Sequence, residues 1–229
     1  MILRGALRRH QPTIGAALSI HRNRPGPLLW ALLVAFWMLI VLAIVVNPPG
    51  GLLISLALPL LAGAGLVAFM VMISGEVLVV GERGLLIGSV APFTRPYAIS
   101  YAAITPGSVV PVTDGHRYLQ TLGRFYAART TRTGFWIRRG IHLVGPSPDE
   151  TRAKRTGSLH QGGTARSVDG RWIWFAGTGR TRPELITAQI ADAAGRSGLP
   201  QLAAATAAAP PRAASGSRTD SSRLLPGAP

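Results

Sequence analysis

The 229-residue chain contains no cysteine and only nine acidic residues. The missing thiols exclude disulfides, thiolate metal sites, palmitoylation and a lipoprotein anchor, and they fit a soluble part in the cytoplasm. Lysine is almost absent as well. Lys154 is the single lysine among 24 basic residues, so the net charge of +15 is an arginine charge. Such a skew reflects GC-rich coding as readily as phosphate chemistry.

The acidic residues are scattered, and Asp149-Glu150 is their one adjacent pair. A paired-carboxylate mechanism needs two acids converging on one cleft, and no such pair can be nominated. The five histidines are His10, His21, His116, His142 and His160, with no two at metal-ligand spacing. Gly81-Glu82-Arg83-Gly84 and Gly177-Thr178-Gly179 are too short to cradle a phosphate. The serines lack the small-residue elbow of hydrolases. The sequence therefore reads as non-catalytic, with no cofactor and no metal. The groups to watch in a cleft are His116, His142, Asp114, Glu150 and Asp169.

Charge is also missing from two long stretches. Leu28 to Val46 and Gly51 to Ile73 carry none, and only Asn47-Pro48-Pro49-Gly50 separates them. As helices they would reach about 28 and 34 Å, against a hydrocarbon core of about 30 Å. The spacing predicts a transmembrane hairpin over residues 27–74, with spans at 28–46 and 51–73. A cleaved signal peptide would have a shorter apolar core and a small-residue cut site, which Val45-Val46-Asn47-Pro48 is not. No ionisable side chain lies within either run, so an ion pathway or proton relay is unsupported.

Arg4, Arg8, Arg9, Arg22 and Arg24 precede the first run, and the turn at 47–50 is uncharged. Positive flanks stay cytoplasmic. The expectation is a multi-pass protein of the cytoplasmic membrane with both termini inside. Gly51, Ser55, Pro59 and Gly63 are spaced by four and form a narrow small-residue face. That face suits packing within the hairpin or a homo-oligomer. Trp30 falls at the cytoplasmic interface, whereas Trp37 lies deeper, against the other helix.

Around the hairpin the chain divides into three parts. Residues 1–26 read as a basic cytoplasmic leader, in which Pro12 limits any helix to Met1–Arg9. Residues 75–198 read as a small α+β domain, and residues 199–229 as a disordered tail of Ala, Pro, Ser and Arg. Within the domain, strands are predicted at 76–80, 85–88, 97–101, 107–113, 134–138, 141–144 and 171–175, with a mobile loop at 145–170. A helix follows. Thr181 is the expected N-cap, Glu184 completes a capping box, and Leu185, Ile186, Ile190, Ala193 and Ala194 lie close to one face. Ile186 and Ile190 should face inward, near Trp172 or Trp174.

Several of these residues resemble a known group. Glu82-Arg83-Gly84-Leu85, Tyr97-Ala98-Ile99 with Ile104, and Trp172-Ile173-Trp174-Phe175 are similar to segments of bacterial PH-like (pleckstrin-homology-like) membrane proteins. So is Gly177-Thr178 followed by Arg182-Pro183-Glu184-Leu185-Ile186. The resemblance covers roughly residues 28–195. It implies an antiparallel β-barrel or sandwich, partly open, with one C-terminal helix plugging an end. It also implies a domain that binds and scaffolds, here a protein partner or an anionic lipid at the inner leaflet. The alternative is a subunit of a membrane complex or an unrecognised membrane-bound enzyme. For lipid headgroup contact the candidates are Arg22, Arg24, Arg138 and Arg139. Further basic clusters are Arg124-Arg129-Arg132 and Arg152-Lys154-Arg155. Nucleic acid is disfavoured, because a tethered domain has no groove-reading helix.

Overall fold

The computed structural model describes residues 2–22, 24–92, 94–115, 130–133, 139–148, 150–151 and 172–209. The expected strand at 134–138 and most of the loop at 145–170 lie outside these residues.

The two apolar runs form helices α2 (Pro27–Val46) and α3 (Leu52–Ser74), which pack against each other. Both are long and apolar enough to cross a membrane. Pro27 opens α2 at a position where its missing N–H does no harm, and Pro48-Pro49 cannot continue it. Trp37 donates its indole N–H to the Pro59 carbonyl at 3.1 Å. Gly63 permits this approach, since a Cβ there would sit 3.0 Å from the indole nitrogen. Two residues of the small face thus receive a side chain of the same hairpin.

The residues before the hairpin are not a free leader. Ile2–Ile14 forms helix α1, and Ala17–Arg22 forms strand β1. Strand β1 pairs antiparallel with β2 (Glu76–Gly81), with Arg22 opposite Val77. The whole hairpin is therefore an insertion between two adjacent strands. The first sheet continues through β3 (Gly84–Ser89) and β4 (Tyr97–Ser100) in the order β1-β2-β3-β4. Helix α1 runs through Pro12, contrary to expectation. Pro12 and Arg8 are both exposed, so the carbonyl left without a donor meets water. Packing of Ile14, Leu3 and Leu7 on Val77, Val79, Leu86 and Ala98 holds the helix in place. Its C-terminal end is clasped by the β2–β3 turn. Arg83 N–H donates to the Ile14 carbonyl at 2.8 Å, and Ala16 N–H donates to Glu82 Oε2 at 3.0 Å.

The opposite face of the first sheet, with Leu78, Val80, Leu85, Ile87, Tyr97 and Ile99, points into the main core. β2 and β3 are thus covered on both sides, which is why their sequences are continuously apolar rather than alternating. After one turn of 3-10 helix (Tyr101–Ala103) comes a second sheet. Its strands are β5 (Val110–Val112), β6 (Thr130–Thr133), β7 (Gly140–Gly145) and β8 (Trp172–Gly177), in the order β5-β7-β8-β6. β6 runs parallel to β8, a departure from the expected antiparallel run. The connection from β6 passes through β7 on the far side of β8, long enough for a parallel crossover. Among the described residues no strand pairing joins the two sheets, so they do not close into a barrel.

Helix α4 (Pro183–Arg196) contacts β2, β5 and β7. Ile186 and Ile190 are fully buried in the same core as Trp174, with Trp172 packed against it. Trp174 meets Tyr97 edge-on, with ring centroids 5.0 Å apart, and donates to the Pro146 carbonyl at 2.9 Å. Leu185, expected near this face, is exposed. The expected capping box is also absent. The N-cap is Arg182, no side chain caps the helix, and Glu184 is its second residue. Pro183 at the first position removes one of the N–H groups that a cap would serve. The expected disordered tail is a helix at its start: α5 (Pro200–Ala207) packs on α4 and buries Leu202. Residues 210–229 lie outside the described part.

Candidate functional site

The site grows out of the join between hairpin and domain. A single residue, Gly75, separates the end of α3 from the start of β2. Ser89 Oγ donates to the Met72 carbonyl at 2.8 Å, and Val90 N–H donates to the Gly75 carbonyl at 3.0 Å. These bonds fix the end of β3 against the foot of α3. Between them, α1 and the start of α2 leave a cavity of about 540 Å³. Its walls include Leu3, Trp30, Met70, Val71, Val77 and Ala91, and among the described residues Arg22 is the single charged one lining it. Ser74 also lines it, with a buried hydroxyl that has no hydrogen-bond partner among the described residues.

On the other face of β1 a polar cluster ties this strand to the start of α4. His21 Nδ1 lies 3.1 Å from Thr181 Oγ1, and Ser19 Oγ lies 2.9 Å from His21 Nε2. Ser19 Oγ also donates to Gln189 Oε1 at 2.7 Å. Thr181, Leu185 and Gln189 are spaced by four, so this stripe of α4 and its approach faces β1. Partial burial lowers the His21 pKa below its ordinary value, and Gln189 beside it acts weakly in the other direction. The Thr181 hydroxyl is thereby engaged with His21, not with the helix N-terminus.

A chain of contacts leads on to the second sheet. Thr178 Oγ1 donates to the Thr181 carbonyl, and Thr178 N–H donates to the Arg139 carbonyl at 3.1 Å. The 178–182 turn therefore brings Arg139, Arg180 and Arg182 to the same end of the domain as Arg22 and Arg24. All five are exposed, and none forms an ion pair among the described residues. His21 is five residues from Gly26, or at most about 17 Å of extended chain, so this end is the one nearest the hairpin. Of the four nominated arginines, Arg22, Arg24 and Arg139 belong to this end, and Arg138 lies outside the described residues. Arg180 and Arg182 were not anticipated. Read along the sequence they belong to a turn, and only the Thr181–His21 contact carries them to β1.

Of the groups to watch in a cleft, the three among the described residues do not assemble here. His142 is fully buried in β7 with Nδ1 3.1 Å from the Ser108 carbonyl. Asp114 and Glu150 are exposed, and Glu150 accepts from Ser147 N–H at 2.8 Å. His116 and Asp169 lie outside the described residues. Among the described residues no group of three or more His, Cys, Asp or Glu is placed to hold a metal. The chain matches no known protein family, no curated protein and no solved structure.

Proposed function

We propose that the chain is a two-span protein of the cytoplasmic membrane that holds a non-catalytic, PH-like binding module against the inner leaflet. The observation that carries this reading is the insertion of both apolar helices between the paired strands β1 and β2. Paired strands oblige α2 to leave and α3 to return on one side. The arginines flanking that side, Arg22 and Arg24 among them, favour the cytoplasm. Two covalent connections and two hydrogen bonds, from Ser89 and Val90, hold the module close to the foot of the hairpin. The ring of exposed arginines then faces anionic headgroups, each contributing about 1 kcal/mol close to a charged leaflet. The PH-like resemblance supports the module, since it rests on the β2–β3 turn that clasps α1 and on the strand, turn and helix around Trp174.

Because the chain lacks cysteine, single thiols test the topology cleanly. Asn47→Cys in the outer turn should react with a membrane-impermeant maleimide in intact cells. Gln201→Cys, exposed on α5, should react only after permeabilisation. The reverse pattern would place the module outside and overturn the cytoplasmic reading. Release of the chain by alkaline carbonate would overturn the membrane-spanning one.

A second reading, as a subunit of a membrane complex, is favoured by Leu18 and Ile20. Both are 43 % exposed on the edge strand β1, on the side turned away from α4. A photoreactive residue in place of Ile20 should crosslink to a defined protein in native membranes if this reading holds.

A further inference from the structure

Among the described residues, the cavity at the foot of the hairpin has one charged residue and mostly apolar walls. Its size lies within the range of small-ligand sites, roughly 300–1,000 Å³. A polar, water-soluble ligand would find few partners there beyond Arg22 and Ser74. A hydrocarbon chain would find Met70 and Val71 on one side, and Val77 and Ala91 on the other. Trp30 lines it, at the end of two helices that carry no charge, and a tryptophan at such a helix end suits the level where headgroups meet acyl chains in a bilayer. Arg22 is exposed and forms no ion pair among the described residues. Glu76, the acidic residue at that corner of β2, is engaged in an interaction of its own.

We propose that this cavity takes up an anionic phospholipid from the surrounding leaflet. An acyl chain lies between the foot of α3 and the first sheet, and the phosphate rests against Arg22. The inference rests on the membrane-spanning reading of the hairpin, and it names the lipid as a ligand of the module. It places a hydrocarbon chain against Val77 in β2 and Ala91 just after β3, which belong to the module and not to the spans. Ordinary annular lipid around the hairpin would not reach them.

The test uses the full chain in nanodiscs of mixed phosphatidylglycerol and phosphatidylcholine, with phosphatidylglycerol bearing a photoreactive acyl chain as the probe. Crosslinks are expected on the peptides holding Met70 and Val71 and on those holding Val77 and Ala91. Unlabelled phosphatidylglycerol should compete, whereas phosphatidylcholine and soluble glycerol phosphate should not. Val71→Trp, which fills the cavity, should abolish the sheet crosslinks. Val67→Trp, at a more exposed position on the same wall, repeats the block should the first variant fail to fold. Arg22→Gln should reduce the preference for phosphatidylglycerol about fivefold, the effect of one basic residue at a charged leaflet. Crosslinks confined to the exposed surface of α2 and α3, or sheet crosslinks that survive both tryptophans, would overturn the proposal. So would equal competition by the two lipids. Nanodiscs present both faces, so a reversed topology would leave the crosslinks intact and show only in the thiol labelling.

Discussion

The hairpin and the first sheet are built from the same side chains, and they turn them in opposite directions. Along α2 no residue is buried, and Leu39 is 62 % exposed. Along β2 and β3, Val79, Val80, Leu85, Leu86 and Ile87 are fully buried. Along most of its length each hairpin helix has only the other as a partner, so most of its circumference faces outward. The sheet has two, α1 on one face and the α4 core on the other. A soluble protein rarely exposes an apolar patch larger than a few hundred Å². Apolar content thus does not decide burial. What decides it is whether a covering element exists, and where none does the apolar residues are left exposed on helices long enough to cross a membrane.

Removing a core side chain breaks the sheet half of this comparison most severely. Trp174→Ala deletes the edge contact to Tyr97 and leaves the Pro146 carbonyl without its donor. The expected loss is about 3–5 kcal/mol, a large share of the 5–15 kcal/mol typical of a domain. Thermal unfolding of the full chain in detergent, followed by near-ultraviolet circular dichroism, would measure it. The next effect tests whether α1 is a true cover. Ile14→Ala should cost about 2–5 kcal/mol, because Ile14 is fully buried against the sheet. A free leader would show no change. A chain truncated to begin at residue 75 should be worse still, since it lacks both α1 and β1.

The hairpin half is tested by charge. Leu39→Arg places a guanidinium near the middle of α2, at a cost to insertion of about 2.5–3.5 kcal/mol. On a water-facing surface the same change would stay within about 0.5 kcal/mol. Comparing the membrane-bound fraction of the variant with that of the parent chain distinguishes the two solvents. Equal fractions would mean that α2 does not meet lipid at Leu39.

How far the sequence foretells this arrangement depends on which side of a pattern faces inward. Length without charge marked both hairpin helices to within a residue or two, and the Gly81–Gly84 turn marked the β2–β3 hairpin. Spacing by four marked Ile186 and Ile190. β1 escaped notice although Leu18, Ser19, Ile20 and His21 alternate strictly, the pattern of a half-buried strand. Its flanking prolines and arginines suggested a leader, and its inward side is the polar one, joined to α4 by Ser19 and His21. α5 was missed because its composition is that of a linker. Yet Pro200 at the first position and an alanine run favour a helix, and Leu202 and Thr206 are spaced by four. Leu185 lies on the stripe that faces β1, a distinction that periodicity alone does not make. The cavity was not legible at all, since it joins residues 3, 22, 30, 71 and 91 through tertiary packing.

The smallest expected effect concerns the polar seam between β1 and α4, where the sheet meets a helix through side-chain hydrogen bonds. Partial burial lowers the pKa of His21 in the folded protein, while in the unfolded chain it returns to about 6.5. Above that value the imidazole is neutral in both states, and the seam makes its full contribution. As the pH falls below about 6.5 the unfolded chain takes up a proton that the folded one resists, so stability declines until the pH passes the lowered folded value. His10, also lowered by burial with Arg9 nearby, pulls the same way, so the two must be separated. His21→Gln keeps a polar side chain and removes the titration. Unfolding midpoints of the parent chain and of this variant should run in parallel above pH 7 and converge on acidification, the parent falling faster. Curves that stay parallel down to pH 5 would show that His21 carries no proton-linked stability, and that the seam holds β1 through Ser19 and Gln189 alone.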